Sequence, residues 1–169
     1  METSTLKRGM IMKKFSIVLF QLGILFVALC ISLLAFFWLP QTAEAFAIDA
    51  PEYAYLQYPL LFGIWITLMP FILAIVEALR ISRKVALDQV FTGASADHLK
   101  RIKLCAYGIM TLYVVGFVIL LQLVEMNPGI ALLGILISLT SMMIGLITGI
   151  LEALLRKALV IKEENDLTV

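Results

Sequence analysis

The sequence predicts an all-α integral membrane protein: an up-down four-helix bundle with both termini in the cytoplasm. Three observations predict it. Hydrophobic residues make up 62% of the 169 and charged residues only 15%, against about 45–50% and about 25% in an ordinary soluble domain. The apolar residues gather into four uncharged stretches. Every Lys and Arg falls in the segment before the first stretch, between the second and third, or after the fourth. Mean hydropathy is +1.04. The net charge of +1 offers no bulk attraction for nucleic acid or an acidic substrate. Two Cys are too few for a disulfide framework or a thiolate zinc site.

Phe15–Leu39 is 25 residues without a charge, about 37 Å as a helix, and the hydrocarbon core is about 30 Å thick. An apolar core for a signal peptide is about 7–15 residues, so this stretch reads as span one despite Lys13-Lys14 before it and Thr42-Ala43-Glu44-Ala45 after it. Span two is Pro59–Val76, extended to about residue 55 by the aromatic run that begins at Tyr53; span three is 104–124 and span four is 130–151. In lipid each must be helical, because a helix satisfies its own backbone polar groups. The organisation is then a segment 1–14, a transmembrane domain 15–156 with a loop 77–103, and a tail 157–169. The 13 basic residues lie in the first segment, the loop and the tail. The segments 40–52 and 125–129 carry only Glu44, Asp49, Glu52 and Glu125. The positive-inside rule places the basic segments in the cytoplasm of a bacterial plasma membrane.

Small residues let helices approach closely in lipid. Span four carries Gly134, Ser138, Ser141, Gly145, Gly149 and Glu152 at steps of three or four, and span two carries Gly63, Thr67, Pro70, Ala74 and Glu77. Span three offers Gly108, Thr111, Val115, Val118 and Gln122, and span one Gln21, Ala28, Ser32 and Ala35. All four stripes are expected to face inward. Pro70 frees the carbonyl of Ile66 and predicts a kink.

Glu77 and Glu152 are the sharpest candidates for chemistry, each at the cytoplasmic mouth on an inward stripe. If close together they could bind a proton or cation. The competing expectation is local pairing with Arg80 and Arg156 one turn later. His98, beside Asp97, reads as a solvated loop histidine, and Ser95 as the N-cap of the third helix. Tyr53, Tyr55 and Tyr58 read as an interfacial belt, with an aromatic mouth for a small ligand as the functional alternative. No catalytic, cofactor-binding or metal-ligating constellation is expected, so the chain is not read as an enzyme. Without a helix-turn-helix unit, no direct specific nucleic-acid binding is expected either.

Three pieces are similar to a known family: Pro51-Glu52-Tyr53-Ala54-Tyr55-Leu56-Gln57-Tyr58-Pro59, then Phe91-Thr92 with Leu99-Lys100-Arg101-Ile102-Lys103-Leu104-Cys105-Ala106, and the closing Ile161-Lys162-Glu163-Glu164-Asn165-Asp166-Leu167-Thr168-Val169. The chain resembles the YoaS-like family of bacterial four-span membrane proteins, a domain of unknown function. Leu87-Asp88-Gln89-Val90 departs from the Asp-Lys-rich run of that family. The resemblance implies little established activity. It implies a small Cro/CI-type helix-turn-helix regulator as partner, because the genes of the two are often paired. Asn165, Asp166, Leu167, Thr168 and Val169 are the candidate docking peptide. The expected role is that of a membrane partner or sensor for such a regulator. The alternative is a small transporter, or an immunity-type protein against a membrane-active peptide, for which the small-residue stripes would build a homodimer.

Overall fold

The computed structural model describes residues 2–49, 51–87, 89–123 and 128–166, with side chains described for 15–49, 51–87, 89–122 and 131–165. Among the described residues the chain is helical, without strands: α1 (Glu2–Leu33), a π-helical turn (Leu34–Trp38), α2 (Leu39–Asp49), a 3₁₀ turn (Pro51–Leu56), α3 (Gln57–Ala86), α4 (Gly93–Leu123) and α5 (Pro128–Asp166). Four helical stretches are long and apolar enough to cross a membrane: Phe15–Asp49, Pro51–Ala86, Gly93–Gln122 and Ala131–Asn165.

Span one does not stop at Leu39. The helix passes through Pro40 to Asp49, because the backbone loosens just before the proline. Within an α-helix Pro40 would clash with the carbonyl of Phe36 and leave it without a partner. Here Leu39 N–H instead reaches back to the Leu34 carbonyl, in π register. The next acceptor in that register, the Ala35 carbonyl, would need the N–H that Pro40 lacks. The indole Nε1 of Trp65 on α3 donates to it at 3.0 Å. Ala35 is buried at this contact, and Phe36 and Phe62 flank the Trp65 ring, each with centroids at 5.8 Å. The proline defect thereby becomes a tie between α1 and α3.

The protein is inside-out relative to a soluble one. Among the described residues the buried polar side chains are Thr67, Glu77, Ser82, Ser95, Ser141 and Glu152, while most Leu, Ile, Phe and Val side chains are exposed. In water this surface would drive aggregation; facing lipid it costs nothing, and close packing of small residues becomes the cohesive force. The stripe on α5 follows that logic: Ser141, Gly145 and Glu152 are buried, and Gly134, Ser138 and Gly149 are half-buried. Span one does likewise at Gln21, Ala28, Ser32 and Ala35, and α3 at Thr67, Pro70, Ala74 and Glu77, though Gly63 is exposed.

Span three departs from expectation. Thr111, Val115, Val118 and Gln122 are exposed, and α4 buries Ile102 and Ala106 instead. Thr111 satisfies its own hydroxyl by donating to the Tyr107 carbonyl at 2.8 Å, so it can face lipid without an interhelical partner. The α3 helix continues through Pro70, and the Thr67 hydroxyl donates to the Ile64 carbonyl at 2.6 Å rather than to that of Ile66.

The helices pack in the spatial order α1, α3, α4, α5. The contacts of α4 show why. His98 and Arg101 meet α3, whereas Lys103 and Tyr107 meet α5. At about 100° per residue these two pairs lie roughly 170° apart around the helix. The α4 helix is thus held on opposite faces. The α5 stripe is a ridge against α4, not one wall of a common central channel.

Candidate functional site

The polar residues of the structure converge where the C-terminal part of α3, the first turns of α4 and the C-terminal part of α5 come together. The α4 helix starts at Gly93, so Thr92 holds the cap position and Ser95 falls in the first turn, correcting the expected cap. The Thr92 hydroxyl lies 3.0 Å from that of Ser95, and Ser95 N–H donates to the Thr92 carbonyl. Ser95 and Ala96 are fully buried, which fixes the rotation of the helix and so the direction of the charged residues that follow.

Glu77, 4% exposed, accepts three side-chain hydrogen bonds. Arg80 and Arg101 each donate to Oε1 at 3.1 Å, and His98 Nδ1 lies 2.5 Å from Oε2. Glu152, 7% exposed, accepts from Lys103 Nζ at 2.6 Å and from Arg156 Nε at 3.0 Å. Arg156 Nη2 also donates to Asp97 at 3.0 Å. Two carboxylates at the mouth of the helices are thus held by five side chains, four cations and the His98 imidazole, three of the five from α4. In a low-dielectric setting such pairs hold only when every lone pair is engaged, and no buried side-chain polar atom lacks a partner among the described residues. The arrangement is a charge latch that fastens α4 to α3 on one side and to α5 on the other.

All four residues expected as ion-pair candidates are in the latch. Glu77–Arg80 and Glu152–Arg156 form the expected local pairs. The two carboxylates share no partner, however, because they sit against opposite faces of α4, and this separates them from the paired site considered above. His98 is not a solvated loop residue: its side chain is 16% exposed and bound to Glu77. His98, Arg101, Lys103 and Asp97 were the functional neighbours that sequence reasoning missed. Of the candidate docking peptide, Asn165 is exposed at the end of α5 and Asp166 is the last helical residue. Leu167, Thr168 and Val169 lie outside the described residues.

Buried small polar groups, exposed apolar side chains and a basic mouth define a helical membrane protein with four helices long and apolar enough to cross the membrane. The chain belongs to the family described as "Protein of unknown function (DUF2975)", whose model matches residues 41–169. It is similar to an uncharacterized membrane protein, YoaS, of Bacillus subtilis (strain 168): 31% identical over 160 residues, covering 94% of this chain and 100% of the relative. No solved structure matches.

Proposed function

We propose that the chain is a four-span, up-down plasma-membrane protein whose N-terminus, 77–103 segment and C-terminus face the cytoplasm, and that it serves there as a non-catalytic binding partner of a soluble regulator. Two independent facts support the topology. Arg80, Arg101, Lys103 and Arg156 are linked through Glu77, Glu152 and Asp97. At the same end Ser16, Ile17 and Phe20 share a cleft with Ile81, Ser82 and Val85. All three basic segments therefore gather at one end of the helices, which the positive-inside rule assigns to the cytoplasm. Alkaline phosphatase fused after Asp49 is expected to be active, and fused after Val90 or at the C-terminus inactive. Activity of the C-terminal fusion would overturn the topology.

The observation that carries the binding role is the reach of α5. It continues as helix beyond the latch from Arg156 to Asp166, about 15 Å at 1.5 Å per residue. There it exposes Lys157, Val160, Ile161, Lys162 and Glu163, a mixed apolar and charged surface suited to a protein partner. The family resemblance points to a small Cro/CI-type helix-turn-helix protein as that partner. Crosslinking in intact cells, purification on an N-terminal tag and mass spectrometry should recover such a protein, and deletion of Asn165–Val169 should abolish its recovery. Recovery of this chain alone would count against the reading.

A further inference from the structure

At the end of the helices opposite the latch, α2 and the start of α3 enclose an open cleft of about 540 Å³, lined among others by Pro40, Glu44, Gln57, Tyr58, Phe62 and Trp65. Three aromatic side chains and one carboxylate meet there. The Trp65 ring is fixed by its hydrogen bond to the Ala35 carbonyl. Phe62 stands almost perpendicular to it, at 82°, so the two rings form a corner with electron-rich surface. Glu44 has no cation at that end to neutralise it, because the sequence holds no Lys or Arg between Lys14 and Arg80 or between Lys103 and Arg156.

We infer that this cleft binds a small organic cation of the ammonium class, with its charge between Glu44 and the rings of Tyr58 and Trp65 and its alkyl part against Phe62 and Pro40. Aromatic faces attract a desolvated cation through the ring quadrupole, and an alkylated ammonium gives up its water more readily than a bare ammonium. Gln57 supplies an amide for a hydroxyl or ester on the ligand. The π-helical turn adjoins the cleft. Such turns recur at functional sites, and here Trp65 joins the turn to the cleft, so occupancy is felt by the backbone of span one. This geometry is the same whichever side of the membrane the cleft faces.

The probe is choline, and the reporter is Trp65 itself. The protein has two Trp, so Trp38→Phe leaves Trp65 as the single tryptophan, excited at wavelengths that tyrosine does not absorb. With the full chain in lipid discs made only of phosphatidylglycerol, choline is expected to change the Trp65 emission saturably. The uncharged isostere, with carbon in place of the quaternary nitrogen, is expected to leave it unchanged. Glu44→Gln is expected to weaken the apparent affinity about tenfold, and Tyr58→Leu to weaken it in the same direction. Both side chains are exposed, so neither change threatens the fold. Discs containing phosphatidylcholine identify the source. Emission already at its saturated value without added choline assigns the site to a lipid headgroup, and an undiminished choline titration assigns it to a free cation. An equal response to the isostere, an unaltered affinity in Glu44→Gln, or no response to choline in phosphatidylglycerol discs would overturn the inference.

Discussion

Glu77→Gln is expected to lower the unfolding midpoint of the solubilised protein more than any other isosteric change in the latch, by the equivalent of about 2 kcal/mol. The carboxylate accepts from Arg80, His98 and Arg101. Glutamine preserves the volume but removes the charge and turns one acceptor into a donor, so that Arg80 and Arg101 lose their carboxylate and the His98 contact must be remade. Breaking a fully buried ion pair costs about 3–5 kcal/mol. The smaller figure applies here because the Arg80 and Arg101 side chains are 51% and 61% exposed and can rehydrate. Glu152→Gln should follow in the same direction with a smaller effect, since Glu152 accepts from two side chains rather than three. The double variant is the more telling measurement. Groups on opposite faces of α4, with no partner in common, should show additive losses to within about 0.5 kcal/mol. A strongly non-additive result in thermal or detergent unfolding would mean that the two carboxylates belong to one network. It would contradict the packing order of the helices.

The contrast between what the sequence disclosed and what it concealed follows from the same packing order. Residues on α5 were legible because that helix has one buried face, so steps of three and four from Gly134 to Glu152 mark a single line. The local pairs Glu77–Arg80 and Glu152–Arg156 were legible because helix geometry alone brings them together. Span three was misread because α4 is buried on two faces. Its contacts divide between His98–Arg101 and Lys103–Tyr107, and no single stripe can describe both. The latch partners from α4 were concealed for that reason, although a buried Glu near the end of α3 called for cations from the next helix. Pro40 misled in another way. Proline usually marks a helix end, and only Trp65, far along the chain, shows how the helix survives it. The up-down arrangement and the side of the membrane on which each end lies remain with the charge pattern and the fusions that read it.

Gly145 gives the sharpest test of the α4–α5 contact. A Cβ added there would lie 2.8 Å from Cε1 of Tyr107 and 3.1 Å from Cδ1 and Cζ, distances that require the ring or the helix to move. Gly145→Ala is therefore expected to destabilise by about 1–3 kcal/mol through overpacking, despite alanine's better helix propensity. Gly145→Leu should separate the two helices and abolish stable accumulation in the membrane. Gly134→Ala serves as the comparison: nothing lies within 4 Å of its added Cβ, so the propensity gain stands alone and stability should be unchanged or slightly raised. Gly149→Ala falls between them, meeting only Lys103 Cδ at 3.2 Å, a flexible stem whose ammonium nonetheless binds Glu152. The cause can be isolated with Tyr107→Leu. Once the ring is gone, adding Gly145→Ala should cost little further. If the alanine remains equally costly without the ring, the close approach is not between Gly145 and Tyr107, and the α5 stripe must be cohering through backbone contact alone. Unfolding midpoints in one detergent of Gly145→Ala, Gly134→Ala, Tyr107→Leu and the two doubles that combine Tyr107→Leu with each glycine change decide between these outcomes, because steric overlap with a single ring predicts a large coupling between positions 107 and 145 and none between 107 and 134.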